Sequence, residues 1–145
     1  MNIDQIISHA REFSFMSGVE RDRQRVKSTG EVFTPTPLVQ EMLDLLPPEL
    51  FTDHTKTFLD PTCGDGQFLV EVMIRKMING ATHEQALSTI YGVDIMEENV
   101  ILCRERLLCG QEHLRSIVET NIVCADGLEY HYNFGSHCDL MDLFS

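Results

Sequence analysis

At 145 residues, 43% apolar and 23% charged, the chain is long enough for one α/β core and has the composition of an ordinary globular domain. No run approaches the length of a membrane span, residues 1–20 lack a signal-peptide pattern, and the five cysteines (63, 103, 109, 124 and 138) include no Cys-x-x-Cys pair. A disulfide framework and a zinc site are thereby disfavoured, and a reducing compartment, the cytoplasm, is expected. The net charge of −12 is unevenly spread: residues 1–30 hold five Lys/Arg against four Asp/Glu, residues 31–145 six against nineteen, so the body should repel DNA.

Ile3, Ile6, Ile7, Ala10, Phe13 and Met16 recur at three- and four-residue spacing and predict an amphipathic helix over 3–16, ended by Gly18. Residues 18–30 are polar and aperiodic, a connector. Its basic stretch Arg21, Arg23, Arg25 and Lys27 reads equally as a DNA contact or a solvated linker. We therefore expect residues 1–29 to be a helix and connector ahead of one domain over 30–145. In Gly30-Glu31-Val32-Phe33-Thr34-Pro35-Thr36-Pro37 the prolines keep the residues before them extended. Thr36 is the expected cap and Pro37 the first turn of a helix with Leu38, Val39, Met42, Leu45 and Leu46 on its inner face, closed by Pro47-Pro48.

Thr57-Phe58-Leu59-Asp60-Pro61-Thr62-Cys63-Gly64-Asp65-Gly66-Gln67-Phe68-Leu69 reads as strand, glycine turn and helix start. Ligands of open α/β sheets bind at the carboxyl end of such a strand. Gly64 and Gly66 allow positive φ and close approach to a ligand. Leu69 stands where a dinucleotide fingerprint needs its third glycine, and the loop carries Asp60 and Asp65 but no lysine, which suits a phosphate poorly. Acids beside a glycine turn suit a cationic ligand, and S-adenosylmethionine, with an ammonium and a sulfonium, is the candidate.

The helix that follows, 67–79, should expose Gln67, Glu71, Arg75 and Asn79, with Glu71 and Arg75 as an i,i+4 pair, and bury Phe68, Leu69, Val72, Met73 and Met77 before stopping at Gly80. Thr82-His83-Glu84-Gln85 has capping-box form and opens a short helix to about Leu87. Thr89–Ile95 is the second strand, and its terminal Asp94 suits a pair of ribose hydroxyls or the cap of the next helix. That helix covers 97–109, with Val100, Ile101, Leu107 and Leu108 inward and Gly110 as its end; a shorter one covers 111–118. Asn121–Gly127 is a third strand and turn ending in Asp126, and Cys138–Phe144 a fourth strand. His131, His137 and Cys138 match no common metal-ligand spacing, so no metal is expected.

Asp60–Leu69 closely resembles the Asp-Pro-x-Cys-Gly-x-Gly-x-Phe-Leu motif of the S-adenosylmethionine-dependent DNA adenine (N6) methyltransferases, and Gly30–Pro35 resembles their Gly-x-x-Phe-Thr-Pro element. The resemblance spans roughly residues 30–143. It implies a Rossmann-like, doubly wound parallel sheet of truncated methyltransferase form. It further implies cofactor-binding positions at Phe33, Thr34, Asp60, Pro61, Thr62, Cys63, Gly64, Gly66, Phe68, Asp94, Ile95, Asp126 and Gly127. Phe33 and Thr34 would line the methionine end, Asp94 the ribose, and Asp126 the adenine amino group. In the family an Asn/Asp-Pro-Pro-Tyr/Phe loop after the fourth strand holds the target adenine. No such tetrapeptide follows residue 138, and the one Pro-Pro, at 47–48, lies elsewhere, so no catalytic residue is assigned.

The expected function is the S-adenosylmethionine-binding portion of a DNA adenine methyltransferase, of the restriction–modification kind, completed by a missing segment or partner subunit. The alternative is a non-catalytic S-adenosylmethionine binder acting as a sink, a sensor or a methyltransferase-activating subunit. An enzyme acting on another small acceptor or on the cofactor itself ranks last, because no nucleophile or general base stands out. DNA is the expected partner of the intact enzyme, and a partner subunit or a second copy would cover the open edge of the last strand.

Overall fold

The computed structural model describes residues 1–11 and 34–135. The second half of the expected first helix, the connector with its basic stretch, Phe33, the boundary at 29/30 and the expected strand at 138–144 lie outside the described residues.

Three short parallel strands, β1 (Phe58–Asp60), β2 (Ile90–Asp94) and β3 (Ile122–Cys124), form a sheet of order β1-β2-β3. Phe58 pairs with Ile90 and Asp60 with Gly92; on the other side Gly92 pairs with Ile122 and Asp94 with Cys124. Parallel neighbours need a long crossover, and each crossover here is helical. The helices in chain order are α1 (residues 3–11), α2 (Thr36–Asp44), α3 (Glu49–Thr52), α4 (Gln67–Ile78), α5 (His83–Ser88), α6 (Glu97–Leu108) and α7 (Arg115–Asn121), with a 3-10 turn at Glu112–Leu114 before α7. This is the α/β architecture expected, a truncated Rossmann-like methyltransferase fold.

α4 and α6 pack on β2 and on each other, so both lie on one face of the sheet. Gly92 permits it: a Cβ there would stand 2.8 Å from Leu69 Cδ1 and 3.0 Å from Cys63 Sγ. By alternation Tyr91 points to the opposite face, where the chain after β3 folds back and sets Phe134 against it at 4.8 Å between ring centroids. Tyr130 and Tyr132 complete that aromatic cluster.

α4 is the central helix and departs most from expectation. Gln67 and Glu71, expected on an exposed face, are buried, and Glu71 pairs with Arg11 of α1 and Gln40 of α2, each at 2.8 Å, instead of with Arg75. Arg75 instead reaches Asp44 at 2.8 Å. Periodicity locates an apolar stripe, and it cannot show that two neighbouring helices bring a cation and an amide to the opposite stripe. Lys76 is also fully buried, its ammonium donating to the Lys56 and His54 carbonyls and the Thr89 hydroxyl beneath the Phe58 ring.

Smaller corrections follow the same logic. α2 starts from Pro35 without a side-chain cap, so Thr36 lies inside it. It buries Val39 and Leu43, leaving Leu38, Met42, Leu45 and Leu46 exposed. The Pro47-Pro48 break opens α3, which places Phe51 on Phe58 with ring centroids 5.3 Å apart. In α6 Ile101 is exposed, and Cys109, at φ 52, terminates the helix ahead of Gly110. The Thr82–Gln85 capping box is present in both directions, at 3.1 and 3.0 Å. α1 sits on the same core through Ile6 and Ala10.

Candidate functional site

At the carboxyl end of β1 the chain must leave the sheet and enter α4 within six residues, and the glycines make that turn possible. Gly64 has φ +56 and Gly66 φ +98, conformations that residues with a Cβ rarely adopt. The turn is closed by Cys63 N–H donating to Val93 O and Gly66 N–H to Cys63 O, both at 2.9 Å. A Cβ on Gly66 would meet Cys103 Sγ of α6 at 2.9 Å, so α6 supports the turn from beneath. A Cβ on Gly64 would meet nothing within 4 Å, so that side of the turn is open, although its N–H is already taken by Asp94.

The acids divide into two groups. Asp94, at the end of β2, takes the Gly64 N–H on Oδ2 at 2.9 Å, and on Oδ1 the Met96 N–H at 2.8 Å and Asn99 Nδ2 at 3.3 Å. It therefore joins the β1 turn to the start of α6. Asp60 holds the Thr62 N–H at 3.1 Å, and burial, reinforced by the nearby charge of Asp94, keeps its carboxyl above the usual range. Two carboxylates so placed are relieved by a cation, which is the chemistry a methionine ammonium or a sulfonium would bring. Asp65, the other acid that the sequence puts beside the glycine turn, is turned away: it is buried and paired with Arg106 at 3.2 Å.

Asp126 follows β3 and accepts the Leu128 N–H at 2.9 Å, a local turn that leaves the carboxylate half-exposed. Gly127 is required sterically, because a Cβ there would stand 2.6 Å from the Pro61 carbonyl oxygen. The loops after β1 and β3 thus touch, and Asp60, Asp94 and Asp126 lie at the carboxyl ends of three adjacent strands. Beyond the last two acids, Ile95 and Leu128 are exposed apolar side chains, 68% and 97% accessible.

Of the other expected positions, Pro61 and Thr62 are exposed in the turn, while Thr34 reaches the site through its carbonyl, which accepts Gln67 Nε2 at 2.7 Å. Phe68 is half-buried against the core. Cys63 is buried, and its thiol is pushed well up by the Cys103 sulfur, by burial and by the nearby Asp60 and Asp94, so it stays protonated and is no nucleophile. Sequence reasoning missed Gln67, Gly92, Asn99 and Arg106. The last two left a signal, a lone Asn and a lone Arg at positions seven apart on the buried face of α6, flanked by Val100, Cys103 and Leu107. Among the described residues no group of His, Cys, Asp or Glu side chains is placed to hold a metal ion, and no helix is long and apolar enough to cross a membrane.

The N-6 DNA Methylase family profile matches residues 5–133. The Type II methyltransferase M.VspI of Vibrio sp. (strain 343) is 33% identical over 116 residues, which is 77% of this chain and 24% of that protein. The chain thus spans about a quarter of that relative's length. No solved structure matches. With its glycine turn, three strand-end acids and a match over most of its length, the chain belongs to the N-6 DNA methylase family.

Proposed function

We propose that this chain is the S-adenosylmethionine-binding portion of a DNA adenine-N6 methyltransferase. The observation that carries the reading is the set of Asp60, Asp94 and Asp126 at adjacent strand ends around a glycine turn whose open side has room for a ligand. S-adenosylmethionine, when bound, supplies a methyl group on a cationic sulfur. Asp60 and the Gly64–Gly66 backbone hold the amino-acid part and offset its charge, with Thr34 as the opposite wall; the family resemblance gives Phe33, outside the described residues, the same role. Asp94 takes the ribose, exchanging part of its present hydrogen bonding for the hydroxyls. Asp126 takes the adenine amino group, and Ile95 lies against the ring. Pro61, Thr62, Cys63, Phe68 and Gly127 shape the turn that these groups stand on.

No Asn/Asp-Pro-Pro-Tyr/Phe tetrapeptide occurs in these residues, so transfer to DNA requires a segment or a partner subunit that carries it. The setting is a restriction–modification methyltransferase working in the cytoplasm, where the cofactor and DNA meet.

One observation favours the second reading, a non-catalytic binder that serves as sink, sensor or activating subunit. Every arginine among the described residues is engaged by the protein itself: Arg11 with Glu71, Arg75 with Asp44, Arg104 with Ile122 O, Arg106 with Asp65 and Arg115 with Glu105 and Glu112. Among the described residues little arginine charge is therefore left for phosphates.

Equilibrium dialysis against S-adenosylmethionine, followed by mass analysis with and without adenine-containing DNA, tests both. Cofactor retained unchanged by the chain alone, and turned over once a chain bearing the Pro-Pro loop is added, supports the first reading. Retention without turnover in any such mixture favours the second, and no retention at all defeats both.

A further inference from the structure

Three buried side chains of α6 stand on one face at spacings of four and three: Asn99, Cys103 and Arg106, with 1%, 0% and 1% of their surface accessible. Each meets a different part of the site. Asn99 donates to Asp94 at 3.3 Å. Cys103 lies under Gly66, where it excludes any side chain. Arg106 reaches furthest. Its Nη1 donates to the Asp65 carbonyl at 3.0 Å and to Asp65 Oδ1 at 3.2 Å, its Nη2 to Gln67 Oε1 at 2.8 Å, and its Nε to Ala10 O of α1 at 3.3 Å. Gln67 passes the connection on, donating from Nε2 to Thr34 O at 2.7 Å and to Thr36 Oγ1 at 3.4 Å.

A guanidinium is costly to bury, and this one is spent on backbone and amide groups of the turn as well as on a single carboxylate. Its planar fork fixes direction, which one ammonium would not. The amide of Gln67 has one acceptor and one donor end, and each is used on a different segment. The chain Arg106–Gln67–Thr34 therefore sets the spacing between the glycine turn and the segment that begins at Thr34. These two segments are far apart in sequence and share no strand pairing among the described residues; α2 and α4 are also joined further along, by Gln40–Glu71 and Asp44–Arg75, so the relay sets the spacing at the turn end of that packing.

We propose that Arg106 and Gln67 are positioning residues that fix the width of the subsite for the amino-acid end of the cofactor. The proposal rests on the cofactor reading above, in which that end lies between Thr34 and the Gly64–Gly66 turn. Asp126, which would hold the adenine, is not joined by this relay, and Asp94 meets it only through the Gly64 amide, next to the Asp65 that Arg106 holds. Loosening it should therefore separate the two halves of the ligand.

The test uses the full chain and two ligands, S-adenosylmethionine and 5′-methylthioadenosine, which keeps the nucleoside and lacks the amino-acid part. Calorimetry is run on the parent and on Arg106→Lys and Gln67→Met, with thermal melting to record folding. Both variants should lose about tenfold or more in affinity for S-adenosylmethionine and stay within about twofold for methylthioadenosine. Equal losses for both ligands, or no loss for either, overturn the assignment, since a merely structural role would not distinguish them. If Arg106→Lys does not fold, the ratio measured on Gln67→Met decides. A parent chain that binds neither ligand refutes the cofactor reading itself, and is distinct from a parent that binds both with variants that show no change in the ratio.

Discussion

The Gly64 amide donates to Asp94 Oδ2 at 2.9 Å, so the acid at the end of β2 holds the turn at the end of β1. One carboxylate thereby organises the turn, and in the proposed reading it also takes the ribose. Replacing Asp94 with Ala should weaken S-adenosylmethionine binding by at least about tenfold, roughly 1.4 kcal/mol. It should also destabilise the fold, because Gly64, Met96 and Asn99 lose their acceptor together. Calorimetry and thermal melting on the same samples check this. An affinity within twofold of the parent would remove Asp94 from the site.

Asp60 makes the opposite combination. Its carboxyl is held above the ordinary value of 3.8, first by burial and then by Asp94, so the fold binds that proton more tightly than the unfolded chain does. Below 3.8 this favours the fold; the advantage disappears as pH rises through the interval up to the folded value, and at neutral pH the ionised group is a cost. Asp60→Asn keeps the oxygen that accepts the Thr62 N–H and removes the charge. The variant should melt higher than the parent at neutral pH, lose that margin in acid, and bind the cationic cofactor more weakly. Melting curves across pH with parallel binding measurements check it, and a variant less stable than the parent at neutral pH would contradict the argument.

The strand-turn-helix at 58–78 was legible because its signals are local: an apolar run, glycines at the positive-φ positions, and the helical pattern that begins at Gln67. The order of the three strand-end acids was legible too, Asp126 through its third place in the family resemblance and not through its own Ala-Asp-Gly, which any turn could show. What the sequence concealed is which polar residues are buried. Gln67 and Glu71 occupy the polar stripe of α4, and only the docking of α1, α2 and α6 on that stripe removes them from water. Contacts between Arg106 and Ala10 or between Arg11 and Glu71 join residues 96 and 60 positions apart, beyond any periodicity. Gly92 was hidden too: inside a strand it signals close approach only once its neighbours Leu69 and Cys63 are known.

The Arg11–Glu71 pair should be worth more than a surface ion pair, because Glu71 is nearly inaccessible although Arg11 is not. Arg11→Met leaves the carboxylate with Gln40 and should cost about 2 kcal/mol, less than the loss of a fully buried partner. Adding Glu71→Gln, which removes the stranded charge, should recover about half of it. Urea denaturation of the two variants checks this. A double variant no more stable than Arg11→Met would show that the carboxylate is not stranded.

Gly66 is constrained twice, by φ +98 and by Cys103 Sγ standing 2.9 Å from where a Cβ would be. Gly66→Ala should therefore cost about 2–4 kcal/mol, combining the backbone penalty with the overlap. The two causes can be separated. Cys103→Ala removes the sulfur but leaves its own Cβ at 3.5 Å, an ordinary contact, and does nothing to the backbone angle. In a double-mutant cycle the pair should show a favourable coupling of about 1 kcal/mol, with the remaining deficit belonging to the left-handed conformation. Chemical denaturation of the four proteins measures it. Full recovery in the double variant would assign the whole cost to the sulfur contact, and zero coupling would assign it to the backbone alone.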